Sequence, residues 1–162
     1  MIVLYLLNLS FNLIPKKNVI LHLEKIPGGI THTGISFKNH YKSVRYDFRA
    51  FNENNTCITS HIHNENGKNL IQLYPNIYEP KFNEYCRYLL EGFLTNEPYV
   101  IKKNVVLGST QKTFKEIEIY SNLINTKYIF GIYDCRHYVN KMSIFCGTGN
   151  IRIWRLGSYF IN

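Results

Sequence analysis

Three short stretches near the start of the chain have the composition and spacing of β-strands. In residues 7–13 and 42–48 apolar side chains alternate with polar ones, and residues 18–25 are strand-like in composition. Successive side chains of a strand point to opposite faces, so this alternation predicts strands with one apolar and one polar face. The segment Ile26-Pro27-Gly28-Gly29 predicts a turn that reverses the chain into a further strand over residues 31–37.

The middle of the chain, roughly residues 52–107, is less regular. Residues 52–67 are rich in Asn, Thr, Ser and His, which predicts an exposed loop. Apolar residues then recur at helical spacing after Pro80, up to Phe93, which predicts a helix with one apolar stripe. Residues 99–107 are rich in β-branched residues, which predicts another strand.

Two helices are predicted in the last third of the chain. Thr113 and Glu116 form a capping box at the start of the first helix. Asp134 is a good N-cap residue for the second, which continues to about Cys146 and ends at Gly147. A closing strand is predicted over residues 151–160. Strands and helices together predict a single α+β domain over residues 1–162, with a small antiparallel sheet against the last helix and an inserted middle region at about 52–107.

Composition and charge narrow the class of protein. The chain has 162 residues, of which 45% are hydrophobic, and a formal charge of +8. This excludes a disordered tail or a fibrous repeat. The basic residues are scattered and lie in no nucleic-acid motif, which argues against a nucleic-acid partner, whereas a positive surplus suits an anionic membrane surface.

Cysteine usage and hydropathy favour an intracellular, cytoplasmic protein. The four cysteines form neither a CxxC pair nor the regular spacing of a disulfide scaffold. No apolar run is long enough to span a bilayer. The apolar residues 1–14 lack the basic start of a signal peptide, so secretion is the less favoured hypothesis.

Among the cysteines, Cys135 has the best position for chemistry. It follows the N-cap Asp134 and falls in the first turn of a helix, where unpaired N–H groups and the helix dipole stabilise an anion. Such a position lowers the pKa of a thiol, and the same N–H groups can hold an oxyanion during acyl transfer. The alternative is that Cys135 is a small buried hydrophobic residue.

A thiolate needs a basic partner, and His32 is the best of the six histidines. His32 opens a strand, and Asp47 lies on the polar face of the next strand, where it can orient the imidazole. Arg45 shares that face and can bind an anionic substrate, or it can simply pair with Asp47. His137 follows Cys135 by two residues and would point away from the thiol.

No metal or other cofactor is expected. His61 and His63 with Cys57 look like the beginning of a zinc site, but no fourth ligand has the expected spacing. The candidate chemistry therefore rests on side chains alone.

The order of these residues resembles the lecithin retinol acyltransferase-like and H-Ras-like suppressor family, a circularly permuted branch of the NlpC-type papain-like fold. The family's helix motif is Asn-Cys-Glu-His-Phe-Val with a tyrosine seven residues before the cysteine. This chain has the segment Asp134-Cys135-Arg136-His137-Tyr138-Val139, with Tyr128 in the tyrosine position. The resemblance implies that Cys135 is a nucleophile and His32 its base. The family has a second histidine on the following strand, where Asp47 or Arg45 is the nearest polar substitute here.

The leading hypothesis is a cysteine-dependent hydrolase or acyltransferase that forms a covalent thioester from an acyl ester or amide. Cys135, His32 and Asp47 would be catalytic, and Tyr128, Tyr133 and Arg45 would stabilise the oxyanion or position the substrate. The resemblance favours acyl-lipid substrates, while the wider superfamily includes peptidases and isopeptidases that act on proteins. The alternative from another class is a binding module that keeps the papain-like scaffold without catalysis.

Overall fold

The computed structural model describes most of the chain outside its two ends and four internal stretches, 26–30, 51–55, 65–68 and 76–100. The described residues are 15–25, 31–50, 56–64, 69–75, 101–152 and 156.

Six strands and two helices make up the described part of the chain. The strands are β1 (Lys17–Lys25), β2 (Thr31–Lys38), β3 (Lys42–Ala50), β4 (Thr56–Asn64), β5 (Asn69–Pro75) and β6 (Ile101–Thr110). The helices are α1 (Phe114–Leu123) and α2 (Cys135–Phe145). The sequence predicted β1, β2, β3, β6 and both helices to within a few residues, and the α+β class is confirmed.

All six strands belong to one antiparallel sheet in the order β5-β4-β3-β2-β1-β6. The strands β1 to β5 follow each other in space as they do in sequence, and β6 returns to pair with β1. Strand β1 therefore lies inside the sheet between β2 and β6. Its inner face is fully buried, with Val19, Leu21 and Leu23 at 0% exposure.

The helices cover one face of this sheet. The apolar residues of β2 and β3 share that face with those of β1, because Val19 pairs with Phe37 and Phe37 with Val44. Helix α2 contributes Tyr138, Val139 and Met142, all at 0% exposure, to the same core. The Tyr138 ring stacks on Phe48 with 5.4 Å between ring centroids. This packing fixes the position of α2 over the central strands.

Both helices begin at the residues that the capping patterns predict. The Thr113 hydroxyl accepts a hydrogen bond from Glu116 N, and the Glu116 carboxylate accepts one from Thr113 N. Asp134 caps α2 in the same manner, since its carboxylate accepts a hydrogen bond from Arg136 N. His137 is the reciprocal partner, and its Nδ1 accepts from Asp134 N at 3.2 Å.

The prediction of an exposed loop over residues 52–67 is wrong where the structure describes it. Residues 56–64 form β4, in which Ile58 and Ser60 are buried. The prediction relied on the polar composition of this segment. Strand β4 lies between two other strands, and its backbone hydrogen bonds with them stabilise it even though its side chains are mostly polar. Three strands of the predicted insertion, β4 to β6, belong to the common sheet.

Some predicted elements cannot be compared with the structure. The strand at 7–13 and the helix after Pro80 lie outside the described residues. At the C-terminus, Ile151 and Arg152 are not in a strand, and of the rest of the predicted closing strand only Leu156, which is buried, is described. Neither described helix is long and apolar enough to cross a membrane.

The central pair of strands separates at one end, and we call this place the seam. Pairing between β2 and β3 runs from Lys38 opposite Ser43 to Gly34 opposite Asp47 and stops there. Beyond Gly34, β2 continues to Thr31 paired with β1, while β3 continues to Ala50 paired with β4. The first residues of β2 therefore have a neighbouring strand on one side only.

Candidate active site

Cys135 is the first residue of α2 and reaches the seam from the helix side of the sheet. Its side chain is buried, at 5% exposure, and it interacts with His32 and Thr33 on β2. Thr33 faces the helices, since it pairs with Leu23 in β1, whereas its neighbour His32 pairs with Glu24 and faces the opposite side. The seam is thus the place where a residue of the helix layer meets a side chain of the polar face.

His32 lies between Asp47 and Cys135. Its Nε2 is 2.8 Å from Asp47 Oδ1, and its ring also interacts electrostatically with the Cys135 side chain. Asp47 engages Nε2, and Nδ1 is the second ring nitrogen of His32. The structure therefore brings together the three residues that the sequence predicted to be the nucleophile, the base and the acid that orients the base.

The surroundings of Cys135 favour its thiolate. Burial raises the pKa of the thiol, but a hydrogen bond and charge from His32 and hydrogen bonds from Thr33 outweigh burial and lower that pKa to about 7. The first-turn position in α2 acts in the same direction. Cys146, at the other end of the helix, behaves oppositely, because burial raises the pKa of its thiol to about 11.

The same contacts favour a protonated His32. Burial and the charge of Arg49 lower the pKa of His32, but the hydrogen bonds with Asp47 and Cys135 outweigh them and raise it above 6.5. The pKa values of His32 and Cys135 are thereby brought together. A thiolate–imidazolium pair is then accessible near neutral pH, with the two groups titrating as a unit.

A buried network of charges holds Asp47 in place. Arg45 donates to both Asp47 oxygens at 2.9 Å and also lies 2.9 Å from Glu24 Oε1. Burial raises the pKa of Asp47, but Arg45, His32 and Arg49 outweigh it and hold that pKa well below its ordinary value. Asp47 is therefore ionised at neutral pH and can accept a hydrogen bond from His32.

Gly34 makes this network possible. It lies opposite Asp47 in the register of β2 and β3. A Cβ at Gly34 would overlap Asp47 Oδ1 and come within 3.1 Å of two nitrogens of Arg45. The Asp47 carboxylate and the Arg45 guanidinium can lie across the strand only because this position has no side chain.

Tyr128 lies beside Cys135. Its phenol interacts with both the thiol and the backbone amide of Cys135. Burial raises the pKa of Tyr128, and the neighbouring Cys135 raises it further. The hydroxyl therefore keeps its proton and remains a hydrogen-bond donor next to the N–H of Cys135. Both groups are hydrogen-bond donors beside the thiol, and donors of this kind stabilise an oxyanion during acyl transfer.

Two residues of the predicted site have other partners in the structure. Tyr133 donates its phenol proton to Ile124 O at 2.7 Å, so the proton is not available to an oxyanion. Arg45 is engaged by Asp47 and Glu24, and its pairing with Asp47 is the alternative that the sequence left open. The Glu24 carboxylate and the Ile124 carbonyl are distant in sequence from the side chains that they bind, and sequence spacing gave no sign of them.

Three residues of this site were not identified from the sequence. Gly34 and Glu24 support Asp47, and Thr33 lies beside the sulfur. Within the described residues, Thr33 Oγ1 is fully buried and has no hydrogen-bond partner. The strand register of β1, β2 and β3 would have placed all three near His32, but that register is a property of the folded sheet.

No metal site accompanies the candidate residues. Within the described residues, no group of three or more His, Cys, Asp or Glu side chains is arranged to hold a metal ion. His137 is close to Cys135 in sequence, but its Nδ1 lies 3.1 Å from Asp134 Oδ1.

No family model, curated protein or solved structure matches the chain. The geometry of Cys135, His32 and Asp47 is therefore the basis for any functional assignment.

Proposed function

We propose that the protein is a cysteine-dependent hydrolase or acyltransferase that works through a covalent thioester. The observation that carries this proposal is the position of the His32 imidazole, which lies between Asp47 Oδ1 at 2.8 Å and the thiol of Cys135. A nucleophile, a base and a group that orients the base are the parts that nucleophilic acyl transfer needs.

The first half of the reaction forms the thioester. The Cys135 thiolate attacks the carbonyl carbon of an acyl ester or amide, and the carbonyl oxygen becomes an oxyanion. The N–H of Cys135, in the first turn of α2, and the nearby hydroxyl of Tyr128 are the donors that we assign to that oxygen. When the C–O or C–N bond breaks, His32 gives its proton to the leaving alcohol or amine.

The second half of the reaction releases the acyl group. His32, now neutral, accepts a proton from water or from an acceptor alcohol, whose oxygen attacks the thioester. The products are an acid or a new ester, and Cys135 leaves as a thiolate. Asp47 keeps the Nε2 proton of His32 in place throughout, so that Nδ1 is the nitrogen that exchanges protons.

The fold supports a papain-like assignment as part of this proposal. A helix that begins with the cysteine packs on an antiparallel sheet that supplies the histidine. In chain order the histidine strand precedes the cysteine helix, as in the permuted branch that the sequence resembles. Acyl-lipid esters are the substrate class that this resemblance favours, with peptide or isopeptide amides as the alternative.

The decisive experiment is to trap the acyl-enzyme. The full-length protein is mixed with a p-nitrophenyl ester of a short fatty acid, quenched in acid, digested and analysed by mass spectrometry. We expect one acyl group on the peptide that contains Cys135 and a burst of p-nitrophenol equal to the enzyme concentration. Cys135→Ser should abolish the adduct, and His32→Ala should slow its formation by roughly 100-fold or more.

Cys146→Ser is the matched control, because Cys146 is buried on the same helix at its opposite end. This variant should form the acyl-enzyme at the rate of the unmodified protein. Acylation spread equally over the cysteines, or a Cys135 adduct whose rate does not depend on His32, would contradict the proposal and favour a binding protein.

A further inference from the structure

The segment immediately before Cys135 is a tight turn held by backbone hydrogen bonds. Ile129 and Tyr133 each donate an N–H to the carbonyl of the other at 2.8 Å. Gly131 lies at the tip with a φ of 83°, a conformation that favours glycine, and its N–H bonds to Asp134 Oδ2. We call residues 129–133 the apical turn. It has a defined shape and is joined directly to the nucleophile helix.

The apical turn exposes two large apolar side chains. Phe130 and Ile132 flank Gly131 and are 73% and 70% exposed. Leaving such side chains in water forgoes the free energy that burial would provide, so adjacent exposed apolar residues on a rigid turn mark an interaction site. Two side chains at the tip of a turn cover far less area than the roughly 800 Å² per partner of a stable protein interface.

Basic side chains border the apical turn. The Arg136 guanidinium lies 5.3 Å from the centre of the Phe130 ring, and Lys141 Nζ lies 4.9 Å from that of Tyr133. Lys127, which is exposed, precedes the turn. Residues 119–162 contain five basic side chains and a single acidic one, Asp134. Asp134 is buried and paired with Arg136, so no exposed acidic side chain from this part of the chain opposes the positive charge.

We propose that the apical turn inserts Phe130 and Ile132 into the surface of an anionic lipid bilayer, with Lys127 and Lys141 contacting the headgroups. Apolar side chains bordered by cations match both layers of such a surface, the acyl boundary and the anionic headgroups. The turn would place Cys135 at the membrane, where acyl-lipid esters are found. This last consequence rests on the proposed function, whereas the binding itself does not depend on the thiol.

Vesicle binding by the full-length protein tests this surface. The protein is centrifuged with phosphatidylcholine vesicles that contain or lack phosphatidylserine, at low and high salt. We expect binding that requires phosphatidylserine and weakens as salt rises. Phe130→Ser with Ile132→Ser should weaken binding by about tenfold or more, and Lys127→Gln and Lys141→Gln by roughly fivefold each.

A matched control removes two exposed apolar side chains elsewhere. Tyr41 and Val106 are 61% and 65% exposed, and Tyr41 lies in the turn at the opposite end of β2 from the seam. Tyr41→Ser with Val106→Ser should bind vesicles like the unmodified protein. Cys135→Ser should also bind normally, so a failure of lipid binding and a failure of catalysis can be told apart.

Three results would overturn the proposal. They are no vesicle binding, equal loss of binding in the control pair, and binding that survives the change of Phe130 and Ile132. A fourth is self-association of the unmodified protein without lipid that the Phe130 and Ile132 changes abolish, because the turn would then bind a second copy of the chain.

Discussion

Gly34 and Asp47 are direct partners across β2 and β3. The Asp47 carboxylate occupies the space that a side chain at position 34 would fill. The same pair is the last one before the two strands part at the seam. The glycine therefore does two things: it lets a charged side chain lie flat across the strand, and it marks the point beyond which His32 can reach the helix.

Gly34→Ala should disrupt the candidate site while leaving its three main residues unchanged. The added methyl group would overlap Asp47 Oδ1 and displace the acceptor of His32. We expect acyl-enzyme formation to slow by about tenfold or more, since a hydrogen bond to a charged group contributes about 1.5–3 kcal/mol. Stability should fall by about 1–3 kcal/mol, measured by urea unfolding.

A double-mutant cycle tests whether Asp47 carries this effect. In an Asp47→Ala background the carboxylate is absent, so Gly34→Ala should slow acylation little further. Additive losses in the double variant would show that the glycine acts through something other than Asp47.

The reactivity of Cys135 should follow a titration near neutral pH. Because the pKa of its thiol is lowered to about 7 and that of Cys146 is raised to about 11, iodoacetamide should label Cys135 with a midpoint near pH 7 and Cys146 only in strong alkali. Site-resolved mass spectrometry measures both rates in one sample. His32→Ala should move the Cys135 midpoint upward by roughly one pH unit or more, because the largest of the contributions that oppose burial is then lost. A midpoint that stays near 7 would exclude His32 as the cause.

Tyr128 and Tyr133 offer a matched pair of substitutions. Tyr128→Phe removes a donor beside the Cys135 amide, and we expect a loss of about 100-fold in kcat for ester hydrolysis. Iodoacetamide labelling at neutral pH should change much less, since alkylation forms no oxyanion. Tyr133→Phe removes a bond to Ile124 O and should cost about 1 kcal/mol of stability with little effect on kcat. Equal kinetic effects of the two changes would contradict the assignment.

The buried hydroxyl of Thr33 should tune the thiolate. Thr33→Val keeps the shape and removes the hydroxyl beside the sulfur, so the labelling midpoint of Cys135 should rise. Thr33→Ser keeps the hydroxyl and should restore the lower midpoint. If the valine variant titrates like the unmodified protein, the backbone N–H of Thr33 is sufficient.

Asp47 should make the protein sensitive to acid. Its pKa is depressed in the folded state, so its contribution to stability is complete above the unfolded value of about 3.9 and is lost as pH falls toward the folded value. Urea unfolding between neutral pH and about pH 2 should show this loss. Asp47→Asn should be less stable at neutral pH, and its free energy of unfolding should fall less as the pH is lowered. If this pH dependence is the same as in the unmodified protein, other groups cause the acid sensitivity.

The sequence predicted the parts of this site that depend on local pattern. Asp134 before an apolar helical stripe was sufficient to place Cys135 in a first turn, and the alternation around Asp47 was sufficient to place it on the polar face of β3. Strand β4 was missed because its sequence is polar, and its order comes from pairing with β3 and β5. Propensity does not contain such neighbour contacts.

Other contacts of the candidate site could not be predicted for a similar reason. The local sequence offered Asp47 as a partner of Arg45, but it gave no sign of the Glu24 carboxylate or of the Ile124 carbonyl that Tyr133 binds. Gly34 was overlooked because its importance depends on which residue lies opposite in the register. Partners of this kind are decided by the tertiary fold and not by spacing along the chain.

The seam also affects when, during folding, the thiol of Cys135 becomes reactive. His32 and Cys135 are separated by roughly a hundred positions, so the contact between them closes a long loop and is entropically expensive to form early. A partly made or partly folded chain would carry an ordinary, unreactive thiol. Chemical activation of Cys135 would coincide with docking of the last helix, which makes thiol reactivity a direct reporter of completed folding.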